Sequence, residues 1–572
     1  MKQLFIILFF LLETYAPLNA QIQFDDQAAI LGVNLTSGTT HLGNGVSFFD
    51  YDDDGWDDLS FTTEDGQPLR FFKNINGSFV EQTLNMPTLN YQTKSVTWVD
   101  FDNDGDKDLY ATSFTDGNKL FQNDGSLNFT DITVTSGLPI INIYSYGASW
   151  GDYNNDGKLD VFICSFDPDK IVPNYLYKNN GDGTFTNVSS IAGISSSGSL
   201  SFCSAFFDFN NDGWQDIYIS NDRTINPNVL YKNNGDETFT DVSVISGTDV
   251  AIDAMTVTID DFNSDGWLDI YVTNGVVGNV FFRNNGDETF TDIATTSGTL
   301  LNSVCWGAVF LDAENDEDLD LYVSSALNGE SDYSSSVFYE NLGNEDFLTP
   351  TNPGFLNDNK ASHSSAIGDI DNNGLLDIVV SNTFDGNVNL WHNSTTTTNN
   401  WLKIKLEGTS SNRDGVGSFI EISINGNVQY RYTLCGEGYL AQNSATEVFG
   451  LGSHIEVDYV KVTWLSGTED IFFDVSANQL LEITEGDSLS IDENQLNTTH
   501  LFPNPVKDIL FLQSNESLQS VTVFDVLGKK VKSFKPKLNS YNFDVSSLTN
   551  GVYFVNILSS TNKRQTFKMI KE

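Results

Sequence analysis

One nine-residue acidic pattern recurs seven times between Asp50 and Asp377, with Asp at positions 1 and 9 and an acid or its amide at positions 3 and 5. Its candidate ligands are Asp50, Asp52, Asp54 and Asp58; Asp100, Asp102, Asp104 and Asp108; Asp152, Asn154, Asp156 and Asp160; Asp208, Asn210, Asp212 and Asp216; Asp261, Asn263, Asp265 and Asp269; Asp312, Glu314, Asp316 and Asp320; and Asp369, Asp371, Asn373 and Asp377. The starts lie 50, 52, 56, 53, 51 and 57 residues apart. A fixed period of this length means one supersecondary unit copied around an array.

Calcium takes six to eight oxygens, which a tight loop supplies from positions 1, 3 and 5, a carbonyl at 7 and a later carboxylate, with Gly at 6 for the sharp turn. Six of the seven copies have that Gly, from Gly55 to Gly374. Position 4 varies among Asp, Asn and Ser and need not face an ion. An EF-hand requires a bidentate Glu at position 12, where this chain has Phe61, Ala111, Ile163, Ile219, Val272, Val323 and Val380. Each loop therefore runs into a strand, with Asp at position 9 closing the shell. Positions 1, 3, 5 and 9 concentrate 24 carboxylates, which repel one another unless cations occupy them. That separates these loops from ordinary solvated turns and predicts up to seven structural calcium ions. The sixth site is expected to be weakest, because Glu317 replaces Gly and Glu314 is longer than Asp.

The net charge of -50 fits divalent cations as partners and excludes nucleic acid and anionic lipid, which need a basic surface. The last 72 residues hold ten Lys and Arg against five Asp and Glu, so a domain border is expected near residue 500. Residues 1–20 have the layout of a secretory signal, with an apolar run from Leu4 to Leu12 and cleavage expected before Gln21. No later segment is long and apolar enough for a transmembrane helix. Four Cys without CxxC spacing indicate neither a disulfide scaffold nor a zinc site. They read as buried small apolar residues.

Short alternating runs bounded by Asn, Gly and Asp predict strands and tight turns. Repeats such as LYKNNGDGTFT from Leu176 and YKNNGDETFT from Tyr231 add a hairpin signal through Asn-Gly. A unit of about 50 residues with several short strands fits a four-stranded propeller blade. In five places an aromatic precedes Gly by eight positions, the first being Phe24 and Gly32. That first pair stands before any acidic loop, so the segment around Phe24 is expected to supply the strand the last blade lacks. The predicted fold is all-β: a seven-bladed β-propeller over 21–394, a polar linker, a small β-rich domain over 401–486, a second polar junction, and a C-terminal β-sandwich over 500–572.

On these loops, and on Tyr146-Gly147-Ala148-Ser149-Trp150-Gly151, the first 394 residues resemble the FG-GAP or VCBS repeat family. The resemblance implies a propeller with calcium on one face and ligand recognition on another. Ser411-Asn412-Arg413-Asp414, Gly438-Tyr439, Phe449-Gly450-Leu451-Gly452 and Trp464-Leu465-Ser466-Gly467 resemble the ASPIC/UnbV domain of cartilage acidic protein-like chains, with Leu465 where that family has Pro. Leu501-Phe502-Pro503-Asn504-Pro505, Leu527-Gly528-Lys529, Asn550-Gly551-Val552-Tyr553 and Lys568-Met569-Ile570-Lys571 resemble the sorting domain of type IX secretion cargo. That likeness implies the type IX secretion machinery as a partner, passage through the outer membrane, removal of the tail, and surface attachment or release.

Neither HExxH nor GxSxG occurs. The five His (His41, His363, His392, His454, His500) read as scattered turn or surface residues. No catalytic residues are assigned. The sequence favours an exported calcium-binding module for adhesion or capture of an extracellular glycan or protein ligand. A calcium-dependent polysaccharide lyase and a purely structural surface protein are the alternatives.

Overall fold

The computed structural model describes residues 21–489 and 500–572 apart from 141–143, 329, 344, 356–357, 515–516, 527, 536–539 and 560–563. The expected signal segment 1–20 and most of the junction before residue 500 lie outside the described residues.

Each acidic loop joins the first two strands of an antiparallel four-stranded sheet. The third repeat is representative, with strands Ser145–Gly151, Asp160–Ser165, Tyr175–Asn179 and Phe185–Asn187 in sequential order. The first two are buried along their whole length, as expected of strands packed between sheets on both faces. Among the described residues seven sheets carry an acidic loop, six of them four-stranded and the first extended to five by a strand from later in the chain. Their innermost strands touch in sequence order, and Ser362–Gly368 of the last touches Val46–Phe49 of the first. The protein is an all-β propeller.

The N-terminal strand Phe24–Asp26 completes the last sheet, with Phe24 opposite Asn393 and Asp26 opposite Trp391. This joins residues from both ends of the ring and closes the seam, with the N-terminal strand as the outermost of the last sheet. The recurring aromatic–Gly pairs explain the neighbour contacts. Gly137, Gly193, Gly247 and Gly298 have φ between 79° and 85°, and a Cβ on any of them would meet the carbonyl of Phe185, Phe239, Phe290 or Phe347 in the following sheet. At the seam the same role falls to Gly354 against Phe24. Three of these glycines cap one-turn helices, such as Thr133–Ser136.

The Asn-Gly signal marks hairpins as expected: Asn179 pairs with Phe185, and the five residues between them form the loop. Asn179 ends the strand, and its side chain has another task described below. His363 is not a surface residue; it is buried on the innermost strand of the last sheet, 4.7 Å from the ring of Trp306.

After the ring, strands between Trp401 and Thr484 form a three-stranded and a four-stranded sheet around Leu402, Ile404, Ile420, Val460 and Trp464. Residues of this unit approach the acidic loops: Ser410 lies against Gly157, Tyr430 against Gly266 and Trp401 against Gly374. It caps the face of the ring that carries those loops. One of its segments, Cys435 to Gln442, runs into the hub. The Leu440 carbonyl accepts from Val46 N–H, and Ala441–Gln442 then adds a parallel strand to Val46–Phe49. The Gln442 side-chain amide donates to the Trp98 carbonyl at 2.7 Å, while its carbonyl accepts from Trp98 N–H at 2.8 Å. Tyr439 is fully buried among Tyr146, Phe202 and Trp306, and its hydroxyl donates to the Leu42 carbonyl. The hub is therefore filled by the cap.

The C-terminal segment pairs a three-stranded with a four-stranded sheet over Leu510, Val521, Phe543 and Val555. Phe524 stacks on Phe473 of the cap at 4.4 Å. All four Cys are free and buried.

Candidate metal centres

All seven loops share one backbone geometry. The position-1 carboxylate accepts from the N–H groups of positions 5 and 6: Asp50 from Asp54 and Gly55 at 3.1 and 3.0 Å, and Asp369 from Asn373 and Gly374 at 3.0 and 2.8 Å. Position 4 takes the left-handed conformation in every loop, with φ between 53° and 58°. Position 6 is left-handed as well. Glycine adopts this at no cost, but in the sixth loop Glu317 is held at φ +87°, which strains a residue carrying a Cβ.

Position 9 is fixed by a residue to which the sequence analysis gave no role, the Asn that ends the third strand. One oxygen of Asp58 accepts from Asn74 N–H, Asp160 from Asn179, Asp216 from Asn233, Asp269 from Asn284 and Asp377 from Asn393, each at 2.7 Å. Asp108 and Asp320 do the same with Asn123 and Asn341. The side-chain amides of these Asn then reach backwards. Asn179 donates to the Leu159 carbonyl of its own loop and to the Phe101 carbonyl of the preceding loop. Asn74 reaches Ile370 across the seam. The signal was the Asn that ends each third strand.

These bonds leave other oxygens inward and unpaired. At position 3, one oxygen of Asp52, Asp102, Asn154, Asn210 and Glu314 is buried without a partner, as is one oxygen of Asp108, Asp160 and Asp269 at position 9. Buried unpaired acceptors are costly, and oxygen-only donor sets suit a hard cation. In three loops carboxylates lie within 4.8 Å of one another: Asp50, Asp52 and Asp58; Asp100, Asp102 and Asp108; and Asp312, Glu314 and Asp316. These clusters could hold a metal ion. Asp54, Asp104 and Asp320 stand outside these triads. In the third, fourth and fifth loops the position-3 amide of Asn154, Asn210 or Asn263 donates to the position-5 carboxylate of Asp156, Asp212 or Asp265. In the seventh, the Asn373 carbonyl accepts from Leu375 N–H, while Asp371 pairs with His392 at 3.5 Å and titrates below the usual range.

Without a cation, burial drives the carboxylates toward their neutral form. It pushes Asp50, Asp152 and Asp208 up to about 6, Asp100, Asp261 and Asp312 to about 7, and Asp58 and Asp108 to about 9. Asp160, Asp216, Asp269, Asp320 and Asp377 are raised far above the carboxylate range for the same reason. Basic side chains answer part of this charge. Lys73 reaches Asp52 and Asp54, and from the cap Lys403 pairs with Asp369 at 2.8 Å, Lys405 with Asp53, and Arg413 lies 4.0 Å from Asp100. At the sixth loop His454 lies 3.6 Å from Glu317.

Comparison with known proteins finds three family matches along the chain. Residues 50–111, 100–163, 152–219, 208–272 and 261–323 match the FG-GAP-like repeat, residues 408–490 match ASPIC and UnbV, and residues 500–572 match the secretion system C-terminal sorting domain. Cartilage acidic protein 1 of Xenopus tropicalis is 27% identical over 266 residues, 45% of this chain and 40% of the relative. The Homo sapiens protein of that name is 22% identical over 486 residues, 77% of this chain and 71% of the relative. The first match thus spans less than half of that relative's length. The extracellular domain of a one-component system from B. thetaiotaomicron aligns at 11% identity and TM-score 0.37, covering 97% of this chain and 60% of that one. Among the described residues no helix is long and apolar enough to cross a membrane. The chain is thus built of FG-GAP-like repeats, an ASPIC and UnbV segment, and a secretion system C-terminal sorting domain that marks it for export to the cell surface or for release.

Proposed function

We propose that this chain is an exported binding protein, a closed wheel of seven blades clamped by calcium in its acidic loops, that captures an extracellular glycan or protein on the face away from those loops. The observation carrying this reading is the one-sided cap. The segment after Trp401 covers the acidic-loop face and fills the hub, so the loops between the second and third strands, at the opposite edge of each sheet, are left for a ligand. Five consecutive repeats present a large apolar side chain there: Ile171 is 76% exposed, Ile225 73%, Val277 78%, Tyr333 40% and Phe384 61%. Scattered exposed apolar residues are ordinary, but one per repeat at the same loop suits a partner surface. The sorting domain supplies the route, through the type IX secretion machinery.

Glycan arrays and pull-downs with the mature chain in calcium test this reading. Saturable binding that is lost in a Tyr333→Ser, Phe384→Ser double variant is expected. Release of an unsaturated, ultraviolet-absorbing product would replace it with a lyase, and absence of any ligand would leave a structural surface protein.

A further inference from the structure

A cavity of about 70 Å³ lies where the cap enters the hub, between the innermost strands of the fifth, sixth and seventh sheets. Its wall includes three carboxylates, Asp260, Glu437 and Glu447, against one guanidinium, Arg431, with the hydroxyls of Thr258 and Ser365. None of the three acids belongs to the nine-residue pattern. Glu437 is buried while Asp260 and Glu447 are half-buried, and one guanidinium against three carboxylates leaves two negative charges that call for a counter-charge or protons where solvent is restricted.

The oxygen inventory points the same way. Glu437 is 9% exposed; one oxygen accepts from Asn443 N–H at 2.8 Å, and Oε2 is buried with no partner. Ser365, 1% exposed, also has a buried and unpartnered Oγ. Asp260 spends one oxygen on Asp261 N–H at 2.9 Å. Arg431 is already engaged, donating to the Tyr430 carbonyl at 2.7 Å and lying over the Phe449 ring. Burial holds Glu437 near 7 and Glu447 near 8, with Asp260 adding to the repulsion on Glu447.

We propose that this cavity is a further cation site, holding one hard divalent ion between Asp260, Glu437 and Glu447 at the seam of ring and cap. Two positive charges balance the wall. Since a water takes about 30 Å³, the space admits the ion and one or two waters. Among the described residues these three carboxylates do not form a cluster within 4.8 Å, so an ion here would be held partly through bridging waters, as magnesium and extracellular calcium sites commonly allow. The ion would tie the fifth sheet (Asp260) to two stretches of the cap. It does not depend on the acidic loops being filled.

Crystals of the full chain grown with Mn²⁺ test this directly. An anomalous peak inside the cavity is expected in the wild type, absent in Glu437→Gln and Glu447→Gln, with bound manganese per chain falling by one in either variant while any loop peaks persist. Water density alone in the wild-type cavity, or a peak unchanged in both variants, would overturn the proposal. The wild-type map decides the matter even if a variant fails to fold. A filled cavity beside empty loops would support this site and sink the calcium clamp.

Discussion

The side-chain amide of Asn372 donates to the carbonyl of Gly55 at 3.0 Å, joining the seventh acidic loop to the first across 317 residues of chain. Position 4 makes the same bond to the next loop from Asn103 to Gly157, Asn155 to Gly213, Asn211 to Gly266 and Asn315 to Gly374. Asp53 has no amide to give, and it pairs with Lys405 of the cap instead. Asn372→Asp keeps the left-handed turn but removes the donor. It is expected to cost about 1 kcal/mol, the net worth of one such bond, and Asn155→Asp a similar amount, read from denaturant unfolding. An unchanged midpoint in both would show that these bonds do not hold the loops together.

The sixth loop combines the strained Glu317 with preformed oxygens on Asp312, Glu314 and Asp316. Glu317→Gly is expected to raise stability by about 1 kcal/mol in chelator, since relief of a left-handed residue with a Cβ is worth roughly 1–2 kcal/mol less the entropy Gly adds to the unfolded chain. A fall in melting temperature would mean that the pairing with His454 outweighs the strain.

Chelation should lower the melting temperature strongly. An ion that binds only the folded ring adds about 2.7 kcal/mol per site at a hundredfold excess over its Kd. Asp102→Asn and Asp52→Asn, each removing charge beside an orphaned oxygen, should shrink the calcium-dependent part of the shift and leave the melt in EGTA unchanged or higher. A melt indifferent to EGTA sinks the clamp.

Glu485 provides a pH test away from any ion site. Its carboxylate accepts from the N–H groups of Thr409, Ser410 and Ser411 and from the Ser411 and Ser466 hydroxyls. Against the cost of burial, these donors hold it down at about 2. Because the folded value lies below the unfolded one, near 4.5, the stability it contributes is full above about 4.5 and drains away as pH falls toward 2. Glu485→Gln should destabilise the cap at pH 7 and flatten that acid limb; a parallel limb in the variant would contradict the assignment.

Tyr439→Ala should cost about 3–5 kcal/mol, as large-to-small changes of buried aromatics do, and it should loosen the cap from the ring. Limited proteolysis would then cut between residues 394 and 401 in the variant first. Equal cutting of both proteins would show that the hub contact does not hold the cap.

The sequence carried the repeat, the loops and the ring closure because each rests on local chemistry. Asp at positions 1 and 9, Gly at 6 and the aliphatic run that follows can be read without neighbours, and Phe24 could be placed by register alone. Position 4 looked free because its partner lies one repeat away, and only its left-handed turn and the adjoining Gly carbonyl give it a role. Asn179 and its equivalents drew no reading for the same reason. His363 and Glu437 are set by the hub, a place that exists only once seven sheets meet. Gly438-Tyr439 was visible as a motif, but that it seats in the ring's centre is a fact of tertiary assembly.

Ala441 pairs with Val46, almost four hundred residues upstream. During synthesis the wheel's first inner strand must therefore wait, one edge unpaired, until more than three quarters of the chain has been made. Contacts this distant slow folding, and a copy cut short before Gln442 would keep a vacant axle hole and an exposed strand edge.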